Sequence, residues 1–215
     1  MPARLTIAII AAVSIAAAGV QSAAANHGTL RLISIGPGGG NGPLPADFRD
    51  ATPDGSHVFF QSVESLLPGD TDTTLDVYER VGDVTTLIST GPSGGNGAAH
   101  ASYGGATPDG SRIYFTTTER LVPGDLDFAT DVYERFGDVT TLVSTSATDP
   151  QNFRSARFNA VSTDGAHVFF TTTERLDPGD QDGFEDVYER SSGNAPLRTA
   201  RTSPPFRHPP ATRRG

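Results

Sequence analysis

One stretch, Pro123-Gly124-Asp125-Leu126-Asp127-Phe128-Ala129-Thr130-Asp131-Val132-Tyr133-Glu134-Arg135, occurs three times in closely similar form. Its counterparts run from Pro68 to Arg80 and from Pro178 to Arg190. Tyr78, Tyr133 and Tyr188 stand 55 residues apart, and the same step brings residues 28–190 into register. Residues 29–34 thereby align with 84–89 and 139–144. A fixed period of this order marks a propeller or solenoid, in which each repeat is one supersecondary unit that buries its apolar face only against the next. The repeats fall at about 28–82, 83–137 and 138–190.

Each repeat reads as four short strands. In the middle copy the first lies near residues 101–107 and ends at Pro108-Asp109-Gly110. Asp-Gly between apolar runs is a strong hairpin signal, and it recurs at Asp54-Gly55 and Asp164-Gly165. The second strand, Ser111 to Thr117, is rich in β-branched and aromatic residues, as strands are. A long loop, 119–130, leads to the third strand at Asp131-Val132-Tyr133-Glu134-Arg135. Gly137-Asp138 turns into the fourth, 139–144, and a Gly/Ser-rich connector, 91–97, opens the next repeat. Val58-Phe59-Phe60, Ile113-Tyr114-Phe115 and Val168-Phe169-Phe170 are continuous apolar runs. Such runs belong to strands covered on both faces. The first strands carry one aromatic each, Phe48, Tyr103 and Phe158, among small neighbours such as Gly104-Gly105. No helix is expected in residues 26–215.

Thr107-Pro108-Asp109-Gly110-Ser111-Arg112-Ile113-Tyr114-Phe115-Thr116, followed by Asp131-Val132-Tyr133, resembles the WD-like β-propeller repeat of TolB-type proteins. The resemblance covers about residues 28–190; the third copy, Ser162-Thr163-Asp164-Gly165, lacks the proline. It implies an all-β, propeller-like array of four-stranded antiparallel blades. That repeat type serves many proteins, so it fixes no single function. Three repeats make an incomplete ring, since closed propellers hold about four to eight blades. The last repeat is expected to lose its fourth strand, because Pro196 stands where the ladder needs a donor. Residues 29–34, a fourth strand without its own blade, could complete the blade 155–190 of a second chain and so form a head-to-tail homodimer. The alternative is an open three-blade fragment with exposed edges.

Flanking the repeats are two segments of different character. Arg4, then an apolar run from Leu5 to Val20, then Ala23-Ala24-Ala25, has the form of a secretory signal peptide over residues 1–25. Cleavage near Ala25 is expected to leave no membrane span and to export the protein to the extracellular space; the competing reading is an uncleaved membrane anchor, for which the run is short. Residues 191–215 are rich in Pro and Arg and contain no acid; they are expected to be disordered, as a truncated or frameshifted end would be. Between them, residues 26–190 hold 25 acids against 10 arginines, a net of −15. So acidic a body repels phosphate backbones and excludes nucleic acid as partner, while attracting cations. The chain has no cysteine, which excludes disulfides, zinc-thiolate sites and a thiol nucleophile.

The chemistry with most signal is Asp-x-Asp-x-x-x-Asp, at Asp70/Asp72/Asp76, Asp125/Asp127/Asp131 and Asp180/Asp182/Asp186. Calcium takes six to eight oxygens, often from alternate loop carboxylates. The first two positions suit the start of a calcium loop, but no Glu stands at position twelve as in an EF-hand. The competing reading makes these aspartates Asx turns and caps in a long exposed loop. Glu79-Arg80, Glu134-Arg135 and Glu189-Arg190, with Glu119-Arg120 and Glu174-Arg175, are candidates for ion pairs between blades. Gly91-Pro92-Ser93-Gly94-Gly95 has the spacing of a hydrolase elbow but no following helix, and elbow chemistry needs a strand-to-helix turn. His57 and His167 share a register with Arg112 between them, which is substitution rather than a ligand set.

The sequence therefore points to an exported, non-enzymatic binding or scaffold module, calcium-stabilised through its aspartate loops, with a protein, glycan or small ligand as partner. Two alternatives stand beside it. One is a propeller-type carbohydrate-active or hydrolytic enzyme fragment, since the resemblance extends to peptidases that carry a propeller beside a hydrolase domain. The other is a truncated gene product without independent function. Near-uniform repeats argue against a single asymmetric active site, and no catalytic pair stands out.

Overall fold

The computed structural model describes residues 28–146, 153–191 and 198–199. The chain divides into two units, Met1–Arg31 and Leu32–Gly215. Of the first, only residues 28–31 are described, and they form no regular secondary structure. The expected signal peptide lies outside the described residues, as does the expected disordered tail apart from Ser191 and residues 198–199. Everything below concerns the second unit.

Three antiparallel sheets follow one another along the chain. The first contains β1 (Ala46–Ala51), β2 (His57–Ser62), β3 (Asp76–Val81) and β4 (Val84–Leu87). The second contains β5 (Ala101–Ala106), β6 (Arg112–Thr117), β7 (Asp131–Phe136) and β8 (Val139–Leu142). The third contains β9 (Ala156–Val161), β10 (His167–Thr172), β11 (Asp186–Ser191) and the two-residue β12 (Arg198–Thr199). In each the strands lie in chain order, first beside second, second beside third, third beside fourth. This is an all-β, incomplete propeller-like array of three blades. Among the described residues no helix occurs.

Two expectations about the ends need correction. The third blade does have a fourth strand: β12 pairs with β11, setting Thr199 opposite Tyr188. In the other blades Leu87 and Leu142 face Tyr78 and Tyr133. Counting 55 residues on reaches Leu197, so this strand joins its ladder two residues late, just beyond Pro196, which has no N–H to give. Residues 28–45, in turn, contain no strand. Ile33 instead packs, with Leu67, against the core of Phe60, Leu66, Tyr78 and Leu87.

Local chemistry explains the repeated turns. Gly55, Gly110 and Gly165 all have φ near 70° (71°, 71° and 69°), a region closed to most side chains. The preceding aspartate fastens the turn. Asp109 Oδ1 accepts from Thr107 Oγ1 at 2.6 Å, Ser111 N at 3.1 Å and Ser111 Oγ at 2.9 Å. These bonds hold its carboxyl down at about 2, as they do that of Asp54. Loss of proline in the third copy leaves the turn intact, because Gly165 N still donates to Ser162 O at 2.9 Å. Proline only presets φ there; the hydrogen bonds do the closing. A bulge follows at the same place in each first strand, after Phe48, Tyr103 and Phe158.

Packing between blades makes the core. Phe59, Val77 and Ile88 of the first blade bury themselves against Ala101, Ile113, Phe115 and Tyr133 of the second. Tyr114, Val132 and Val143 of the second do the same against Ala156, Val168, Phe170 and Tyr188 of the third. Within each blade a second-strand Phe stacks on the third-strand Tyr, with ring centroids 5.6, 5.6 and 5.8 Å apart. Between blades, Phe59 stacks on Tyr103 at 5.4 Å and Tyr114 on Phe158 at 5.3 Å. Small residues in the first strand make room for this: a Cβ on Gly104 would lie 2.9 Å from the Phe158 ring.

Polar groups stitch the same seams. Ala101 N donates to Leu75 O at 2.7 Å, and Ala156 N to Thr130 O at 2.6 Å. The arginines of the Glu-Arg pairs do reach the preceding connector, but they meet carbonyls there: Arg80 Nη1 donates to Ile35 O at 3.0 Å, Arg135 Nη1 to Thr90 O at 3.5 Å, and Arg190 Nη2 to Thr145 O. Their glutamates face the other way along the strand, toward the basic residue of the second strand. Glu79 meets His57 at 2.6 Å, Glu134 meets Arg112, and Glu189 meets His167 at 2.5 Å. The His/Arg/His register is thus a set of cross-strand partners for glutamate.

The Gly-rich connectors dock on the loop that follows the second strand. Ser93 N donates to Leu121 O at 3.0 Å, and Gly95 N to Glu119 Oε1 at 2.8 Å. In the first copy Gly38 N donates to Leu66 O at 2.8 Å, and Gly40 N and Gly42 N to Glu64 Oε1 at 2.7 and 2.9 Å. The fit leaves no room for a side chain, since a Cβ on Gly91 would stand 2.3 Å from Leu121 O. Gly91→Ala is therefore expected to destabilise the protein by about 1–3 kcal/mol, the usual cost of overpacking. Gly124→Ala, where a Cβ meets nothing within 4 Å, should change stability by less than about 0.5 kcal/mol. Urea denaturation of the two variants checks the contrast.

Candidate metal centre

Each aspartate loop is held from below by a tyrosine of the third strand. Tyr78, Tyr133 and Tyr188 are fully buried. The Tyr188 hydroxyl donates to Asp180 Oδ2 at 2.6 Å, and Tyr78 and Tyr133 reach Asp70 Oδ2 and Asp125 Oδ2 in the same way. Each hydroxyl also lies near the start of its loop, 3.1 Å from Glu64 O and Glu119 O and 2.8 Å from Glu174 O. Leu66, Leu121 and Leu176 anchor the loops in the core. These anchors fold the loop inward, and that corrects the expectation of an exposed loop. Asp70, Asp76, Asp125, Asp127 and Asp131 are all buried, Asp131 with 1% of its surface exposed. In the third loop Asp180 and Asp186 are half-buried and Asp182 is exposed.

The second and third aspartates are positioned by different means. Asp72 Oδ1 accepts from Thr74 N at 2.6 Å, Asp127 Oδ1 from Ala129 N at 2.5 Å, and Asp182 Oδ1 from Phe184 N at 2.9 Å. These are Asx turns, and Asp125 Oδ1 and Asp180 Oδ1 accept in the same way from Asp127 N and Asp182 N at 3.2 Å, so that reading holds for the middle position and, in two loops, for the first. The third aspartate opens the third strand and takes a serine from beyond the fourth: Ser89 Oγ donates to Asp76 Oδ1 at 2.6 Å, Ser144 Oγ to Asp131 Oδ1 at 2.5 Å.

The result brings all nine sequence-flagged aspartates into three clusters. Within each, one carboxylate oxygen per residue lies within 4.8 Å of the others. Two oxygens that each bind one calcium at about 2.4 Å cannot be farther apart than about twice that distance, so the spacing fits a shared ion. Bound through one oxygen each, three carboxylates would supply half or fewer of calcium's ligands, leaving carbonyls and water to complete the shell.

Electrostatics in the first two clusters is unresolved by the protein alone. Among the described residues, Asp70 Oδ1 and Asp76 Oδ2 are buried without a hydrogen-bond partner, which is costly for a carboxylate. Burial, foremost, raises the Asp76 and Asp131 carboxyls to about 7; the serine bonds oppose this, and neighbouring acids add to it. Asp125 is raised too, again chiefly by burial, and so is Asp186 in the third cluster. Like carboxylates this close need either a proton or a cation.

Tyr78, Tyr133, Ser89 and Ser144 went unremarked in the sequence as site residues. The signal was recurrence at the 55-residue step: a tyrosine in each third strand, and a serine two residues beyond the fourth strand of the first two blades.

No protein-family model matches the chain, and no curated protein matches it. Among solved structures it is similar to a chain from a structural and mechanistic study of two prolyl endopeptidases, at 12% identity and a TM-score of 0.29. The match covers 73% of this chain and 29% of that one. At that level the likeness carries no argument, and the propeller-like architecture rests on the three sheets themselves.

An unfolded aspartate titrates near 4, whereas folded, metal-free Asp76 and Asp131 hold their protons up to about 7. Between those values the folded state binds more protons, so stability falls as pH rises. In chelator, the melting temperature should therefore drop from about pH 4.5 to about pH 8. Millimolar calcium should restore it at the higher pH and change it little at the lower. Melting curves with and without chelator across that range check both statements.

Proposed function

We propose that this chain is an exported, non-enzymatic propeller-type module of the TolB kind, calcium-stabilised through its aspartate loops, that serves as a binding scaffold. One observation carries the calcium reading. The same triad recurs in three loops, and in the first of them two buried carboxylate oxygens have no partner. A divalent cation answers that excess of charge where a proton otherwise must. The TolB assignment rests on the repeated turn and strand motifs. Export rests on the form of residues 1–25.

The scaffold reading is supported by how the polar side chains are employed. Turn aspartates close hairpins, glutamates fasten connectors or second-strand bases, and arginines cap carbonyls across the seams. The surface for a partner would be the loops. There a cleft between the connector and the aspartate loop is lined by Ser93, Ala99, Glu119, Arg120 and Phe128. Phe128 is largely exposed, with the Arg120 guanidinium 4.5 Å from its ring centroid. Aromatic and Arg side chains are common anchors of protein interfaces.

Calorimetric titration of chelator-stripped protein tests the calcium role. Two stronger sites and one weaker are expected, the weaker being the more exposed third loop. Each site should add about 2.7 kcal/mol of stability at a calcium concentration of 100 Kd. Asp131→Asn keeps an acceptor for Ser144 but removes the charge. It should abolish one of the stronger sites and leave the metal-free protein folded and no less stable at pH 8. No heat and no melting shift at millimolar calcium would reduce the aspartates to turn-formers.

A further inference from the structure

The two end faces of the array are the two halves of the seam that joins its blades. At each internal seam the leading face of one blade receives the trailing face of the blade before it. The leading face of the second blade presents Tyr103, Ile113 and Phe115; that of the third presents Phe158, Val168 and Phe170. They are covered by Phe59 and Val77, and by Tyr114 and Val132, respectively. The first blade presents the corresponding Phe48, Val58 and Phe60 beside Ile33 and Ala46, and these line an open groove. Phe48 is 68% exposed, whereas Tyr103 and Phe158 in its register are each stacked on a ring of the blade before. The opposite end of the array holds what such a groove receives internally. Phe169 and Val187 stand in register with Phe59 and Val77, and both are only half-buried.

We propose that two copies of this chain associate head to tail, the trailing face of one third blade seating on the leading face of the other's first blade. The internal seams specify the contact. Phe169 of one copy stacks on Phe48 of the other as Phe59 does on Tyr103, and Val187 covers Val58 as Val77 and Val132 serve the following blades. Ala46 N and Glu185 O hold the register of the Ala101 N to Leu75 O bond. A heterologous contact of this kind either closes into a ring or runs on as a filament. Whole copies give three, six or nine blades, and only six lies within the four to eight of closed propellers. Two copies, with two identical seams, therefore close the ring. The contact needs no exchanged strand, and the place beside β11 is already taken by β12.

The test is sedimentation equilibrium of the purified protein. The expected mass is that of two chains. Phe48→Glu alters an exposed side chain and should weaken association at least about 30-fold, as loss of an interface anchor does, while leaving the circular dichroism and melting curve of the single chain unchanged. Phe169→Glu at the other end should do the same. Mixing the two variants should restore pairs, because the intact tail of the Phe48→Glu chain meets the intact head of the Phe169→Glu chain. Should the second variant fail to fold, cross-linking replaces it. The chain has no cysteine, so a short bismaleimide on the Phe48→Cys, Phe169→Cys double variant should link position 48 of one copy to 169 of the other. A single-chain mass at about 100 μM, far above the affinity of ordinary stable interfaces, would overturn the proposal. So would dimers that survive Phe48→Glu, or cross-links joining 48 to 48.

Discussion

The structure depends on one repeated contact, the seating of an aromatic second strand of one blade on the aromatic first strand of the next. No blade of four short strands buries both its faces alone. Its second strand is apolar on both sides and needs a neighbour on each. The seams at Phe59/Tyr103 and Tyr114/Phe158 supply that neighbour, and the other regularities serve them. The bulge recurs in every first strand, and in the second blade Gly104 beside it leaves room for the Phe158 ring. The connector glycines let one blade's chain run under the loop of the next. The arginine that follows each Tyr-Glu pair caps the connector carbonyl at the same offset every time.

The aspartate clusters follow from the same seams. Because Leu66, Leu121 and Leu176 are core residues, the loop that carries the acids is drawn in with them. The tyrosines that stack within each blade also orient the first acid of each triad. Burial thus concentrates charge where, among the described residues, Asp70 Oδ1 and Asp76 Oδ2 have no hydrogen-bond partner. The loops whose ends bond to the next blade, through Leu75 O and Thr130 O, are the loops with most to gain from an ion. In this way a structural metal would act on fold stability and on the shape of these loops together.

Much of this was legible in the sequence. The 55-residue step located the strands, the Asp-Gly turns and the three-blade array, because period and turn chemistry are local properties. Burial of Asp125, Asp127 and Asp131 was not legible, since a Pro-Gly-Asp loop reads as surface until Leu121 and Tyr133 are seen to pull it down. Nor was the pairing of Glu79 and Glu189 with His57 and His167, which needs cross-strand register. Counting along the chain also misplaced the last strand, because the two-residue offset at Thr199 arises from where the ladder resumes after Pro196. The form of the repeats gave no partner, as expected of an architecture that hosts many functions.

The most direct measurement of the central claim is tyrosine-sensitised luminescence of terbium, a calcium substitute. The chain has no tryptophan and five tyrosines, three of which sit at the triads with their hydroxyls on Asp70, Asp125 and Asp180. If the triads hold the ion, excitation of tyrosine lights terbium emission, calcium competes it away, and Tyr133→Phe with Asp131→Asn removes a defined share. Absence of sensitised emission, or emission that calcium leaves untouched, would contradict the account.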